Sequence, residues 1–302
     1  MPSAPRIPIV LGLSLALLTL QSCLARRRLI TQQGNPKRQT LLTATREELQ
    51  QRIANIYNEV KSFSATVDMT PAVGSVYQGS ITEYKDVLAY ILFKKPEEVR
   101  IIGKYPVVRS TAFDMASDGV QFHIYLPSKN RFLEGRNDTP PTSPNKLENL
   151  RPEAFATSLL IRPVDPATEF SIIYDFTDEN NAFYILLILR RNPAGDPSLA
   201  RNVWFDRLSL RIVRQETFDP KGGILSDTRY SNWQNYAGVP FPASIDINRP
   251  GDGYGVVMTV TKMDMNSEVT DDKFILQQPP GSQLSVLGAS TAESGNGAKE
   301  KP

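Results

Sequence analysis

The sequence is poor in the residues that most metal proteins and many hydrolases depend on. Its 302 residues include one cysteine, Cys23, and one histidine, His123. A single cysteine excludes an intramolecular disulfide. A single histidine excludes multi-histidine metal sites, and any Ser-His-Asp triad would have to use that one residue. Charge of one sign is not in excess. The 34 Lys and Arg against 32 Asp and Glu leave a net +2, which argues against a strongly basic nucleic-acid binder. The apolar run at residues 7–20 has 14 residues, short of the roughly 20 that a spanning helix needs. Against these shortages stand 40% hydrophobic and 22% charged residues, ordinary values for a globular chain and unlike a disordered one. Length alone allows one large domain or two small ones.

The N-terminus reads as an address and an anchor. Arg6 precedes the apolar run, which suits a secretory signal of residues 1–22. Leu20-Gln21-Ser22-Cys23 follows directly and resembles the bacterial lipobox. That resemblance implies lipid transfer to the Cys23 thiol, cleavage before it, and acylation of the new amino terminus. Two or more acyl chains suffice for stable membrane anchoring. Leu24 stands where an Asp would mark inner-membrane retention, so the outer membrane, facing the periplasm, is the expected address. Arg26, Arg27 and Arg28 follow. They suit an anionic leaflet or simply solvate a tether. Residues 23–44 are expected to be that lipidated tether, and as a flexible coil its 24–42 stretch would span roughly 24 Å.

The body, 45–285, reads as mainly β with a few helices. Thr45 and Glu48 form a capping-box pattern. Leu49, Ile53, Ile56 and Tyr57 then recur at helical spacing, which predicts a helix over 46–61. A shorter helix is expected over 152–161, with Pro152 in its first turn. Strands are expected at 63–69, 75–84, 86–94, 98–104, 107–115, 119–126 and 131–135. After a proline-rich loop at 136–150 they resume at 169–176, 182–190, 203–217, 224–233, 241–248 and 254–264. Short gaps between strands imply antiparallel pairing. Many strands alternate apolar and polar residues, so one face of the sheet must be covered. Two short helices are little cover. Either the sheet curls on itself and fills its interior, or part of the apolar face awaits a ligand. Residues 286–302 have little to bury and are expected to be a disordered tail.

Minor motifs carry little chemistry. Asp264–Glu268 has only a faint calcium-loop pattern, with Val269 where a glycine turn would sit. Gly251-Asp252-Gly253-Tyr254-Gly255 lacks the lysine and helix of a phosphate loop and reads as a hairpin turn. His123 lies on the polar side of its strand with no partner singled out. No catalytic residue, metal ligand or cofactor is assigned.

Several segments, in order, resemble the bacterial lipoprotein carrier and receptor family of the LolA/LolB type. They are Val60-Lys61-Ser62-Phe63-Ser64-Ala65, Phe93-Lys94-Lys95-Pro96, Ala116-Ser117-Asp118-Gly119 with Phe122-His123-Ile124-Tyr125-Leu126-Pro127, Trp233 with Val239-Pro240-Phe241-Pro242, and Phe274 with Gln278-Pro279-Pro280-Gly281. The resemblance implies a curved, half-open antiparallel β-barrel with helices across its mouth and a concave face that binds acyl chains. An anchored member implies the membrane-fixed, receptor-like branch, with a periplasmic carrier protein as a possible donor. The carrier's lid-latching Arg is Lys95 here, which keeps the charge and loses the planar fork.

The expected function is acyl-chain binding by a membrane-anchored lipoprotein, without bond chemistry. Phe122, Ile124, Leu126, Phe170, Ile172, Tyr174, Leu208 and Leu210 are the candidate lipid-binding residues, with the helix of Leu49 and Ile53 as cover and Lys95 as lid latch. The alternatives are a structural or sensory lipoprotein with a protein partner, and, with least support, a periplasmic hydrolase.

Overall fold

A computed structural model describes residues 40–75, 80–83, 86–139, 150–178, 180–191 and 195–287. The signal, the lipobox with Cys23, Arg26–Arg28, the prolines of the 136–150 loop and residues 288–302 lie outside the described residues.

Helix α1 (Arg46–Glu59) starts where its capping box predicts. Glu48 N donates to Thr45 Oγ1 at 3.2 Å, and Thr45 N donates to Glu48 Oε2 at 2.8 Å. These bonds satisfy amides that a helix start leaves orphaned. α1 ends two residues before the expected 61, because Ser62 already pairs in a strand. Helix α2 (Pro152–Leu159) follows, with Pro152 in its first turn.

The strands are β1 (Ser62–Ser75), β2 (Ser80–Glu83), β3 (Val87–Lys94), β4 (Glu98–Lys104), β5 (Thr111–Ser117), β6 (Gln121–Leu126), β7 (Arg131–Arg136), β8 (Glu169–Thr177), β9 (Ala182–Arg191), β10 (Pro197–Asp206), β11 (Ile212–Phe218), β12 (Ile224–Tyr236), β13 (Val239–Arg249), β14 (Tyr254–Met265) and β15 (Gln283–Val286). They form one sheet in the order β15-β7-β6-β5-β4-β3-β1-β14-β13-β12-β11-β10-β9-β8, with β2 paired to β1 off this path. The sheet is curved and does not close, so β8 and β15 are its edges. All neighbours are antiparallel except β15, which runs parallel to β7. That strand carries Ser285 and Val286, across the boundary at which the tail was expected to begin.

Turn chemistry sets the hairpins. Asp118 Oδ1 accepts from Val120 N and Gln121 N, both at 2.8 Å, and Gly119 takes φ +93°, a left-handed conformation that glycine adopts without steric cost. One expected strand, 203–217, is instead a hairpin. The turn begins at Asp206, whose carboxylate accepts from Leu208 N at 3.2 Å and Ser209 Oγ at 2.6 Å. Leu210 then turns the chain at φ +54°.

Both helices pack on the same face of the sheet. Leu49 and Ile53 of α1 and Phe155 and Leu159 of α2 join one apolar core with the inward side chains of β1, β3–β6 and β9–β14. Phe63 stacks on Phe93 at 5.1 Å and tilts against Phe241 at 5.5 Å, tying β1, β3 and β13 together. α2 is fixed to β12 through Ser158, whose Oγ lies 3.0 Å from Thr228 Oγ1 and whose carbonyl accepts from Tyr230 OH at 2.9 Å.

Candidate functional site

Antiparallel order places the β4–β5, β6–β7 and β13–β14 connections at one end of the sheet and the β5–β6, β8–β9, β10–β11 and β12–β13 connections at the other. A cavity of about 400 Å³ opens at the first end. Its inner wall is apolar and buried: Met69, Met115, Leu126, Phe155, Tyr254 and Val256. Its rim carries the exposed Asp86, Ser128 and Lys129. The volume falls in the range of small-molecule sites, which are mostly apolar with a few polar groups at fixed places.

Small residues make this space. Ala72, Ala112 and Gly255 line it. Gly103 on β4 has no side chain because a Cβ there would collide with the ring of Phe113, its cross-strand partner, which forms part of the cavity wall. Burial pushes the Tyr254 phenol up to about 12, so it stays neutral and adds no charge. Beside the mouth, the β4–β5 loop presents Val107 at 91% and Val108 at 71% exposure, an apolar tip that ordinary surface composition does not require. The strand expected over 107–115 starts only at Thr111, which is what frees these two valines.

The concave face beneath α1 is closely packed. Beneath α1, the space between Ile53, Ile56, Leu160, Tyr230, Trp233 and Phe241 amounts to about 20 Å³, close to the room needed by a single water. α1 therefore covers a packed core and does not line the cavity. α2 supplies the cavity with Phe155.

The eight candidate residues divide into three groups. Leu126 lines the cavity. Phe122 and Ile124, fully buried on the same strand, belong to the core behind it. Phe170, Ile172 and Tyr174 face the opposite way, at 40%, 51% and 52% exposure. The side of β8 turned to α1 carries Ser171, whose Oγ accepts from Gln50 Nε2 at 2.8 Å. The expected facing of β8 is thus reversed, because alternation identifies two faces and only the packing partner selects the inner one. Leu208 and Leu210 sit in the β10–β11 turn at the far strand end and do not line the cavity. Sequence reading missed Met69, Met115, Phe155 and Val256. Periodicity alone does not select the inner face for these four, and the small residues that leave space before them give no pattern.

Lys95 reaches α1. Its Nζ donates to the Tyr57 carbonyl at 2.7 Å and lies 4.5 Å from the centre of the Tyr57 ring. Burial, then the nearby Lys61, holds its ammonium below the usual lysine range. Asn266 closes the same helix end, donating from Nδ2 to Glu59 O at 2.9 Å and accepting from Lys61 N at 2.7 Å. Carbonyls left free by the end of α1 are thereby paired. His123 stands outside the cavity, its ring against Phe132 at 5.5 Å and its Nε2 4.0 Å from Glu134 Oε2. No group of three or more His, Cys, Asp or Glu that could hold a metal occurs among the described residues. No helix among them is long and apolar enough to cross a membrane.

No protein-family model matches the sequence, and no curated protein matches it. Among solved structures, a DUF1329 family protein from Desulfovibrio piger is similar over 76% of this chain and 95% of its own, at 15% identity and a TM-score of 0.51. That likeness is one of fold. Also similar are the LolA superfamily protein NE2245 from Nitrosomonas europaea, at 15% identity, TM-score 0.47 and coverage of 75% and 97%, and a domain described as an outer membrane lipoprotein-sorting protein from Vibrio parahaemolyticus, at 14% identity, TM-score 0.46 and coverage of 76% and 97%.

Proposed function

We propose that this chain is a membrane-anchored envelope lipoprotein that holds an acyl chain of a lipoprotein or other lipid in the cavity between β1, β5, β6 and β14, as a step in outer-membrane lipoprotein sorting. The carrying observation is the apolar volume of about 400 Å³ beside a core that is closely packed beneath α1. Evicting water from such a wall contributes about 25 cal/mol per Å² buried, and no bond chemistry is needed. Cys23 anchors the chain to the membrane. The Val107-Val108 tip offers apolar surface to a chain arriving at the mouth, and the exposed Lys129 at the rim suits an anionic or carbonyl-bearing head. Lys95 latches α1 and so keeps the filled half closed while the other half exchanges its ligand. The partner is a lipid or lipoprotein, delivered by a periplasmic carrier protein, and the chain is not an enzyme.

A structural or sensory lipoprotein with a protein partner is the second reading, favoured by the dense packing under α1. Native mass spectrometry of the protein purified without detergent separates the two. A stoichiometric lipid or acylated peptide supports acyl binding. A reproducibly empty protein that also rejects added lipoprotein favours the second reading.

A further inference from the structure

The outer side of β8 and β9 is an unusual surface for a sheet edge. Four cross-strand pairs are apolar on both sides: Phe170 with Leu189, Ile172 with Leu187, Tyr174 with Ile185, and Phe176 with Phe183. Trp204 on β10 extends the patch, its ring 6.0 Å from Phe176 and 5.7 Å from Phe183. This face turns away from the core and from both helices, and β8 has no neighbour on its other side. Phe170, Ile172 and Tyr174 are exposed, Phe176, Phe183, Leu187, Leu189 and Trp204 are half-buried, and Ile185 is buried; contiguous apolar surface of this kind marks interaction sites.

The path of the chain sets how far this edge stands from the anchor. The described chain enters at the β8–β9 end of the edge strand, on the side of β8 opposite the patch: Leu42 N donates to Arg207 O at 2.7 Å, and Arg207 Nη1 bonds Asp175, in the same row as Ser171, at 2.8 Å. Cys23 lies 42 − 23 = 19 residues upstream. A flexible coil of that length would span about 24 Å, less than the roughly 31 Å length of a nine-residue strand such as β8. An acylated Cys23 would then hold this edge of the sheet close to the bilayer. The composition of the patch also fits a lipid surface. Tyr and Trp combine an apolar ring with a polar tip and concentrate at the level of lipid headgroups. Exposed Arg191 stands at one end of the patch and exposed Arg211 near the other, where they can meet anionic headgroups.

We propose that the outer face of β8, β9 and β10 docks on the lipid bilayer that holds the acylated Cys23, laying the body on the membrane by its edge strand. The proposal rests on the anchor reading of Cys23 and is independent of what fills the cavity.

The chain has two tryptophans, and only Trp204 belongs to the patch. Full-length protein extracted from membranes is reconstituted into phosphatidylethanolamine–phosphatidylglycerol vesicles with or without brominated acyl chains. Fluorescence is compared between wild type and Trp204→Phe, the difference being the Trp204 signal. Docking predicts at least a twofold loss of that signal in brominated vesicles, and its recovery in Ile172→Asp and in Tyr174→Asp. Unquenched Trp204 in an acylated, vesicle-bound protein overturns the proposal. So does a Trp204 that is shielded equally in both vesicle types while β8 cross-links to a second copy. The mass of the N-terminal peptide reports acylation separately. If Cys23 carries no acyl group the anchor reading fails, and quenching of Trp204 in that protein still supports the face while its absence overturns it.

Discussion

Two halves of one concave face have taken opposite solutions. Under α1, large side chains such as Trp233, Phe241 and Ile53 meet with about 20 Å³ left over. Next to α2, Ala72, Ala112 and Gly255 stand among Met69, Met115 and Val256 around about 400 Å³. Sheet, strand direction and apolar character are common to both. The difference lies in side-chain volume, and it separates what holds the fold from what can hold a ligand. Close packing is expensive to disturb, so a site that must fill and empty is better placed where packing already stops.

The largest test breaks the filled half. Phe63→Ala removes a ring stacked between Phe93 and Phe241 and should cost about 3–5 kcal/mol in urea unfolding, while acyl affinity per folded molecule stays unchanged. Next, Ala112→Trp should fill the open half. Lipid capture is expected to fall at least tenfold, with a shift in Tm of only a few degrees, because the added ring occupies existing space. A loss of stability comparable to Phe63→Ala would instead mean that both halves are core. Lys95→Met should cost about 1 kcal/mol, the low range for a partly solvated charge-assisted hydrogen bond, and should raise hydrogen exchange at the end of α1 without changing cavity affinity.

A smaller effect concerns pH. Burial, then the neighbouring Glu97, holds the Glu153 carboxyl at the start of α2 above the usual range. Its folded-state affinity for a proton exceeds that of the unfolded chain, where a Glu titrates near about 4.3. The stability this lends is fully present below that value and is lost as pH rises through the raised folded one. Glu153→Gln should therefore raise Tm at pH 7 and leave it nearly unchanged at pH 4. A gain of equal size at both values would contradict the assignment.

Much of the frame was legible in local chemistry. The Thr45–Glu48 capping box fixed the start of α1, Asp118-Gly119 fixed a hairpin, and strand alternation located most of the sheet. Three features were not legible, each for a physical reason. Leu208, Leu210 and Ile212 keep strand periodicity through a turn, because a leucine at positive φ carries no turn signal and is held there by its neighbours. Phe170, Ile172 and Tyr174 look like core residues, since an apolar stripe does not reveal which side of the sheet is covered. The cavity itself is made by small residues on several strands. Ala72, Ala112 and Gly255 mean nothing until β1, β5 and β14 are brought into one curved sheet. The contact of Lys95 with α1 had a sequence correlate in the Phe93-Lys94-Lys95-Pro96 segment, whereas its helical acceptor, the Tyr57 carbonyl, is backbone and leaves no mark.

The central claim is that one half of the concave face stores an acyl chain and the other does not. Photo-crosslinking with a diazirine-bearing palmitoyl lipid, followed by peptide mapping, tests it most directly. The account predicts labels confined to the segments around Met69–Ala72, Ala112–Met115, Leu126–Lys129 and Tyr254–Val256, competed away by unlabelled lipid. Competable labels at Ile53, Trp233 or Phe241, with none in those segments, would contradict it.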